Sequence, residues 1–239
     1  MITNSFNFLE RIRDESRIWQ QGISNWDEFI KIGKVNGISS QKKYQYNRKI
    51  HEAKIALDRD NLSYFKGKLP QVEMWKFFAL YKEDCCYLDI EADASGKITV
   101  IGISNYFETN FFVKGVNLDR KLLLLELSKY KIIITFNGGA FDLPKIKREL
   151  EIIPNQLHID LKPLCVNLGL KGGLKEVEKQ LNIERPQHCK GNPIDLWKTF
   201  HASGDREYLD LLLEYNGEDC YNLKLVMGYV YKELSEDLK

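Results

Sequence analysis

A change of sequence pattern near Cys85 constrains the fold of this chain more than any other feature. Before it, the chain of 239 residues shows short helical stretches broken by glycine, without strand-like alternation. After it come three short segments rich in β-branched and aromatic residues, at 86–91, 98–103 and 110–113, separated by turn residues. The pattern predicts a small helical module followed by a β-meander.

The segments beyond the meander alternate between helix and strand patterns. They are helix 118–128, strand 131–136, helix 141–150, strand 157–161, and then helices 173–181, 194–201 and 206–233. Three strands followed by this alternation indicate an α/β domain with a mixed five-stranded sheet and flanking helices. We therefore predict a helical module at residues 1–82 and the α/β domain at residues 83–239.

Composition argues against a disordered, secreted or membrane-spanning chain. Hydrophobic residues make up 44% of the sequence, as in ordinary globular proteins, and no apolar run approaches the roughly 20 residues of a spanning helix. The N-terminus has no basic start followed by an apolar block. The five cysteines form no C-x-x-C pair, which favours reduced thiols. A cytoplasmic protein without a membrane partner is expected.

The charges are unevenly distributed along the chain. Residues 1–82 carry 15 Lys and Arg against 9 Asp and Glu, whereas the remainder carries 20 against 25. A basic part beside an acidic part suits a polyanionic partner. The most basic run, at residues 41–54, includes Lys42, Lys49 and Lys54 interleaved with tyrosines. This run is either a solvated helix face or a nucleic-acid contact.

Asp89 and Glu91 stand two residues apart on the first predicted strand, so both side chains point to the same face. Two neighbouring carboxylates repel each other and raise each other's pKa unless a positive charge lies between them. A bound divalent cation is the simplest resolution. Alone, a D-x-E pair on a strand is a weak signal for a metal site.

A glycine-containing loop carries a further carboxylate, Asp142, from the apolar strand at 131–136 into the next helix. Ligands in open α/β sheets gather at the carboxyl ends of strands, which is where this loop is predicted to lie. Asn137 and Phe141 are expected to flank the carboxylate. The alternative is that Asn-Gly-Gly is only a turn and Asp142 a helix-start residue favoured by the helix dipole.

The last long helical segment contains Tyr215 and Asp219 at positions i and i+4, which puts a phenol and a carboxylate on one helix face. The alternative makes Tyr215 a core residue and Asp219 an exposed charge. Gly217 between them costs about 1 kcal/mol relative to alanine. Close approach of the backbone to a site would explain this glycine.

Together these motifs resemble the DEDD superfamily of 3′–5′ exonucleases, in the branch that has tyrosine in its third motif. The fit is closest to the ribonuclease H-like exonucleases of the YprB type, and it covers about residues 87 to 226. The segments that carry the resemblance are Y-L-D-I-E at 87–91, N-G-G-A-F-D at 137–142, H-I-D-L at 158–161, L-K-E-V-E at 174–178 and E-Y-N-G-E-D-C-Y-N-L at 214–223. The resemblance implies a ribonuclease H-like fold.

The resemblance also implies a two-metal phosphodiesterase. Its predicted catalytic residues are Asp89, Glu91, Asp142, Tyr215 and Asp219. The four carboxylates would be the metal ligands, and the tyrosine would orient or deprotonate the attacking water. Oxygen ligands suit two Mg²⁺ or Mn²⁺ ions. The implied partner is a nucleic acid, DNA or RNA, with a single-stranded 3′ end.

The substrate-binding residues predicted from the resemblance are Asn137, Phe141 and Ala92. The family usually has threonine where this chain has Ala92, so a weaker contact with the terminal nucleotide is expected there. Asp160, on the following strand, is either a residue that supports the site or a buried structural carboxylate.

The leading hypothesis is a metal-dependent 3′–5′ exonuclease acting on single-stranded or frayed DNA or RNA. One alternative is a nuclease-like module that binds nucleic acid or docks a partner without turnover. The other is a structure-specific endonuclease. Four mutually repelling carboxylates argue against the first alternative, because a binding module has no need of them.

Overall fold

The structure is a computed structural model that describes residues 2–9, 15–186 and 192–236. The chain divides into two compact units, Met1–Leu80 and Tyr81–Lys239. The sequence puts the boundary between residues 82 and 83. That the two units are separate domains remains a prediction.

The first unit is helical, as predicted. Its helices are α1 (Ser16–Trp19), α2 (Trp26–Lys31) and α3 (Ser40–Asp58), with short 3₁₀ helices at Ile2–Asn4, Leu62–Phe65 and Gln71–Phe77. Aromatic side chains dominate its core, where Phe6, Phe29, Phe65 and Phe77 have no exposed surface. Several of these rings pack edge to face or tilted, the arrangement that aromatic quadrupoles favour.

Side-chain oxygens cap the two longer helices of this unit. The Ser39 hydroxyl accepts a hydrogen bond from the backbone N–H of Lys42 at 3.3 Å and caps α3. At α2 the cap is Asn25, which accepts from the backbone N–H of Glu28 at 3.0 Å. Ser24, the preceding residue, instead donates through its hydroxyl to the Glu28 carboxylate at 2.9 Å. Serine and asparagine both cap helices well, so the sequence alone does not decide which of these two residues precedes the first turn of α2.

The second unit contains a mixed five-stranded sheet with the strand order β3-β2-β1-β4-β5. Its strands are β1 (Cys85–Ala92), β2 (Ile98–Ser104), β3 (Thr109–Val113), β4 (Ile132–Thr135) and β5 (Leu157–Asp160). The first three form the predicted antiparallel meander, and β4 and β5 run parallel to β1. The predicted α/β class and sheet are confirmed.

Helices flank this sheet. They are α4 (Arg120–Leu127), α5 (Asp142–Leu150), α6 (Leu161–Asn167), α7 (Leu174–Gln180), α8 (Pro193–Ser203) and α9 (Arg206–Glu236). Helix α6 is missing from the sequence prediction. It begins directly after β5, where the Asp160 side chain accepts from the backbone N–H of Lys162. Within the described ranges, no helix is long and apolar enough to cross a membrane.

The two faces of β1 have different environments. Leu88 and Ile90 point into the main apolar core together with Leu127 and Ile146, from α4 and α5. Asp89, Glu91 and their neighbours on β2 point to the opposite face, because side chains alternate along a strand. Helix α9 contacts both β1 and β2. The sheet therefore presents the D-x-E pair to α9 rather than to the apolar core.

Candidate metal centre

Three carboxylates from two elements converge beside the sheet. Asp89 and Glu91 are on β1, and Asp219 is on α9. One carboxylate oxygen from each side chain lies within 4.8 Å of the others. Asp219 and Glu91 are buried, and Asp89 is half-buried. The strand period and the position of α9 together produce this cluster, which we call the acidic cluster.

A glycine on β2 makes the close approach of α9 possible. Gly102 pairs with Asp89 in the strand register. A Cβ atom on Gly102 would lie 2.0 Å from the Oδ1 atom of Asn216 and 2.9 Å from the Sγ atom of Cys220. A side chain at position 102 would therefore push α9 away from the sheet.

Asn216 is a site residue that the sequence interpretation missed. Its Nδ2 atom donates to the Oδ2 atom of Asp89 at 2.8 Å, and its side chain is completely buried. It therefore orients one member of the acidic cluster. Asn216 lies three residues before Asp219 on the predicted helix, and this spacing puts both side chains on one helix face. The spacing could therefore have indicated Asn216 as a site residue.

Asp142 lies next to the acidic cluster but is not one of the three converging groups. It is the first residue of α5 and only 4% exposed. Burial raises the pKa of its carboxyl group, and the backbone at Asp142 and at Ile90, the residue between Asp89 and Glu91, opposes this rise. Its charge contributes to raising the pKa of both neighbouring carboxyl groups. The structure thus brings all four predicted carboxylates into one region.

The loop that leads to Asp142 is held by Asp160. This carboxylate accepts hydrogen bonds from the backbone N–H groups of Asn137, at 2.7 Å, and Gly139, at 3.0 Å. Asn137 has a φ of 65°, a left-handed conformation that asparagine tolerates better than most residues. Asp160 is therefore a mostly buried structural carboxylate that fixes the path from β4 into α5.

The predicted substrate-binding residues occupy the surroundings of the cluster. Phe141 immediately precedes Asp142, with its ring 43% exposed and the Lys145 ammonium 4.6 Å from the ring centroid. Ala92 follows an irregularity in the β1–β2 register after Glu91. Their contact with a substrate remains a prediction.

A buried arginine, also missed from the sequence, contacts the acidic cluster. The Nε and Nη2 atoms of Arg185 each lie 2.5 Å from an oxygen of Glu178 on α7. Nη2 also donates to Asp219. Only 9% of the Arg185 side chain is exposed. A cation of the chain itself therefore neutralises part of the cluster. The sequence gives no indication of this role, because Arg185 lies outside the predicted helices and strands and belongs to none of the motifs.

Tyr215 and Asp219 share one face of α9, as predicted. The tyrosine is buried, with the Lys175 ammonium 4.5 Å and the Arg185 guanidinium carbon 5.8 Å from its ring centroid. Burial, assisted by the charges of Asp219 and Glu91, raises the pKa of its phenol. Tyr215 is therefore protonated at neutral pH and can donate or accept a hydrogen bond.

Burial is the main cause that raises the pKa of all four carboxyl groups. Repulsion from Asp219 helps raise the pKa of Glu91 to about 8, and burial raises that of Asp142 to about 7. The pKa of Asp89 lies well above its ordinary range, for the same two reasons as that of Glu91. Arg185 opposes the rise at Asp219. Ionising these groups in the metal-free chain therefore carries an electrostatic cost.

Gly217 has a different explanation from the one its position suggests. A Cβ atom there would lie 3.1 Å from the Cζ atom of Phe111 on β3. The glycine thus accommodates an aromatic ring of the sheet. The expectation that it allows close approach to the site was wrong.

A cleft of about 720 Å³ opens on the same side of the sheet. Val100 pairs with Glu91 in the strand register and packs with Trp197 of α8. Trp197, Phe200 and Val116 line the cleft, and Lys198 contributes a positive charge. Because cross-strand partners share a face, Glu91 and the apolar group around Trp197 lie on the same face of the sheet.

Comparison with protein-family models assigns the second unit to a known superfamily. The model described as RNase_H_2, RNase_H superfamily, matches residues 86–231, more than half of the chain. The chain belongs to the RNase_H superfamily. The match begins on β1 and ends within α9, so it includes every member of the acidic cluster.

The other comparisons give no further information on the family of this chain. A family B DNA polymerase from the hyperthermophilic archaeon Pyrobaculum calidifontis is a similar solved structure, with 12% sequence identity and a TM-score of 0.47. The similarity covers 61% of this chain and 24% of the polymerase chain, so this chain spans about a quarter of the polymerase. A search of curated proteins finds no match.

The residues of this RNase_H superfamily domain fit a hard divalent cation. The three converging donors are all carboxylate oxygens, which Mg²⁺ and Mn²⁺ prefer. Burial and mutual repulsion keep their pKa values raised although Arg185 lies beside Asp219. A bound cation would remove this repulsion. Zinc is disfavoured because the cluster has no His or Cys donor.

Proposed function

We propose that this chain is a metal-dependent 3′–5′ exonuclease that hydrolyses single-stranded or frayed DNA or RNA. Within the superfamily it would belong to the DEDD exonucleases with tyrosine in the third motif, near the YprB type. The observation that carries the proposal is the convergence of Asp89, Glu91 and Asp219, with ligand oxygens within 4.8 Å of one another. Membership of the RNase_H superfamily supports the nuclease class.

In this proposal the four carboxylates hold two Mg²⁺ or Mn²⁺ ions. Asp89, Glu91 and Asp219 supply the converging oxygens, and Asp142 supplies a fourth carboxylate beside them. Two such ions stabilise the attacking and leaving oxygens of an in-line displacement at phosphorus. The contribution of Asn216 is to fix the Asp89 carboxylate in one orientation through its 2.8 Å hydrogen bond.

Tyr215 orients the attacking water in this mechanism. Its raised pKa makes the phenol a poor general base at neutral pH. As a protonated group it can accept a hydrogen bond from the water and donate one to a phosphate oxygen. A phenylalanine at this position would keep the ring and lose both bonds.

On the substrate side, we propose that the half-exposed ring of Phe141 stacks on a base. Asn137 and Ala92 complete the predicted contacts, with Ala92 contributing little because it lacks a polar atom. The cleft beside Trp197 has apolar walls and the lysine Lys198, which suit a base and its phosphate. Ala202→Asp at the cleft would then raise KM and leave kcat unchanged, as measured by steady-state hydrolysis.

The test uses 5′-labelled and 3′-labelled single-stranded DNA and RNA with Mn²⁺, Mg²⁺ or EDTA. The proposal predicts a ladder that shortens from the 3′ end and disappears in EDTA and in Asp89→Asn. Asp195→Asn, at an exposed position of α8, is the matched control and should retain activity. Internal cuts on a circular strand would instead support the endonuclease.

The contacts of Arg185 with Asp219 and Glu178 favour a second candidate function. A cation of the chain already contacts Asp219 and is anchored by the buried carboxylate of Glu178. This arrangement would suit a domain that binds nucleic acid without hydrolysing it. Retained binding with no product under any metal condition would establish that candidate and reject the exonuclease.

A further inference from the structure

The exposed face of α3 is basic and lies in the first unit, far along the sequence from the acidic cluster. Its buried stripe, which includes Tyr46, Ile50 and Ala53, faces the aromatic core. Arg48 is exposed on the other side, and Lys49 is half-exposed. From residue 41 to residue 51 the helix has no Asp or Glu. The face therefore carries positive charge without acids of its own over almost three turns.

A second segment brings another lysine to this face. The Lys68 ammonium lies 3.1 Å from the centroid of the Tyr64 ring. The Tyr64 hydroxyl donates to the backbone carbonyl of Lys49 at 3.4 Å. Burial lowers the pKa of Lys68, and the nearby charge of Lys49 lowers it further. Glu52, the acid of this region, already pairs with Arg48 at 3.4 Å.

An unshielded aromatic ring lies among these cations. Tyr44 is 73% exposed. Together with Gln45, Arg48 and Lys49 it lines a hollow of about 300 Å³. We call the side chains of Tyr44, Arg48, Lys49 and Lys68 the α3 patch.

We propose that the α3 patch is a second nucleic-acid contact, which binds the phosphates of a single strand and stacks an unpaired base on Tyr44. Cations alone would attract any polyanion. An exposed ring between them adds a flat apolar surface, the combination with which proteins hold single-stranded nucleic acid. A paired duplex would not offer its base faces to this ring. The inference rests on the proposed function for its substrate class, although binding needs neither metal nor hydrolysis.

The test measures binding of a fluorescent single-stranded oligonucleotide, DNA or RNA, by anisotropy in EDTA. Titrations cover salt from about 50 to 200 mM, because the slope of log K against log salt counts phosphate contacts. Arg48→Gln with Lys68→Gln should flatten the slope by about 1.4, or about 0.7 for each lost contact. Tyr44→Ala should weaken binding about tenfold at every salt concentration and leave the slope unchanged.

Charge-matched variants serve as controls. Arg48→Lys with Lys68→Arg should retain the slope. Lys121→Gln with Lys232→Gln removes two exposed lysines of the second unit and should also retain it. Circular dichroism melting of each variant identifies loss of folding.

Three outcomes would overturn the inference. They are no binding by the unaltered chain in EDTA, an unchanged slope in Arg48→Gln with Lys68→Gln, and equal competition by polyglutamate together with no effect of Tyr44→Ala. The last outcome would indicate an acidic protein partner. Because no hydrolysis is measured, patch binding can succeed in a chain that fails the nuclease assay, and hydrolysis can succeed without the patch.

Discussion

Gly102 determines how closely α9 approaches the D-x-E pair. At Gly102, an added Cβ would meet the Asn216 side chain at 2.0 Å. Asn216 is buried and already bonded to Asp89, so it has no room to move aside. The geometry of the acidic cluster therefore depends on a residue that carries no reactive group.

Gly102→Ala should lower the free energy of unfolding by about 1–3 kcal/mol, the usual cost of overpacking. It should also weaken Mn²⁺ binding, because the Asp219 oxygen moves away from Asp89 and Glu91. Gly228→Ala is the matched control on α9, since nothing lies within 4 Å of its added Cβ. That variant should be stabilised by up to about 1 kcal/mol. Chemical denaturation and calorimetric titration with Mn²⁺ would measure both effects, and unaltered metal affinity in Gly102→Ala would contradict the prediction.

The charge of Glu91 should make stability depend on pH. Its folded-state pKa of about 8 lies above the ordinary value of 4.5, so proton binding favours the folded state. This contribution is complete below pH 4.5 and is lost as the pH rises through about 8. The metal-free chain should therefore melt at a lower temperature at the upper end of this window.

The measurement compares melting curves across this window in EDTA and in Mn²⁺. Glu91→Gln should show a shallower decline, because its side chain does not titrate, whereas Asp89 and Asp142 still contribute. Added Mn²⁺ should also flatten the decline for the unaltered chain. An equally steep decline in Glu91→Gln would assign the effect to other groups.

At the scale of elements, Arg185 joins α7 to α9 through two buried carboxylates, those of Glu178 and Asp219. Removing the cation leaves both charges uncompensated, which typically costs about 3–5 kcal/mol. Arg185→Gln should therefore destabilise the metal-free chain by that amount, and Mn²⁺ should raise its Tm more than that of the unaltered chain. Arg206→Gln is the control.

Arg206 and Asp210 form an exposed pair at 3.6 Å, so breaking it should cost less than about 1 kcal/mol. Differential scanning fluorimetry with and without Mn²⁺ separates the two variants. If Mn²⁺ shifts Arg185→Gln no more than the unaltered chain, Arg185 has no role in balancing the charge of the acidic cluster.

The elements also show what the sequence could predict. Strand period and helix spacing put Asp89 beside Glu91 and Tyr215 beside Asp219, because both pairs are local. The five-stranded sheet could be predicted because segments with strand patterns and segments with helix patterns alternate along the chain. Helix spacing put Asn216 on the same face as Asp219, but neither its contact with Asp89 nor the contacts of Arg185 could be identified in this way. Their partners, Asp89 and Asp219, lie 127 and 34 residues away along the chain, and no local period records such contacts.

At the scale of the whole molecule, the two units differ in their charge and in the residues that form their cores. The first unit has an aromatic core and a basic helix, whereas the second contains the sheet and the acidic cluster. Each unit has its own buried aromatic or aliphatic residues. This division supports the prediction of two domains that fold as separate cooperative units.

Differential scanning calorimetry should then resolve two unfolding transitions. Mn²⁺ should raise only the transition of Tyr81–Lys239, because ligand binding stabilises the unit that holds the ligand. Phe29→Ala, at a fully buried position of the first unit, should cost about 3–5 kcal/mol and lower only the other transition. A single transition that responds to both changes would mean that the units unfold together. In that case the basic helix and the acidic cluster would belong to one cooperative structure.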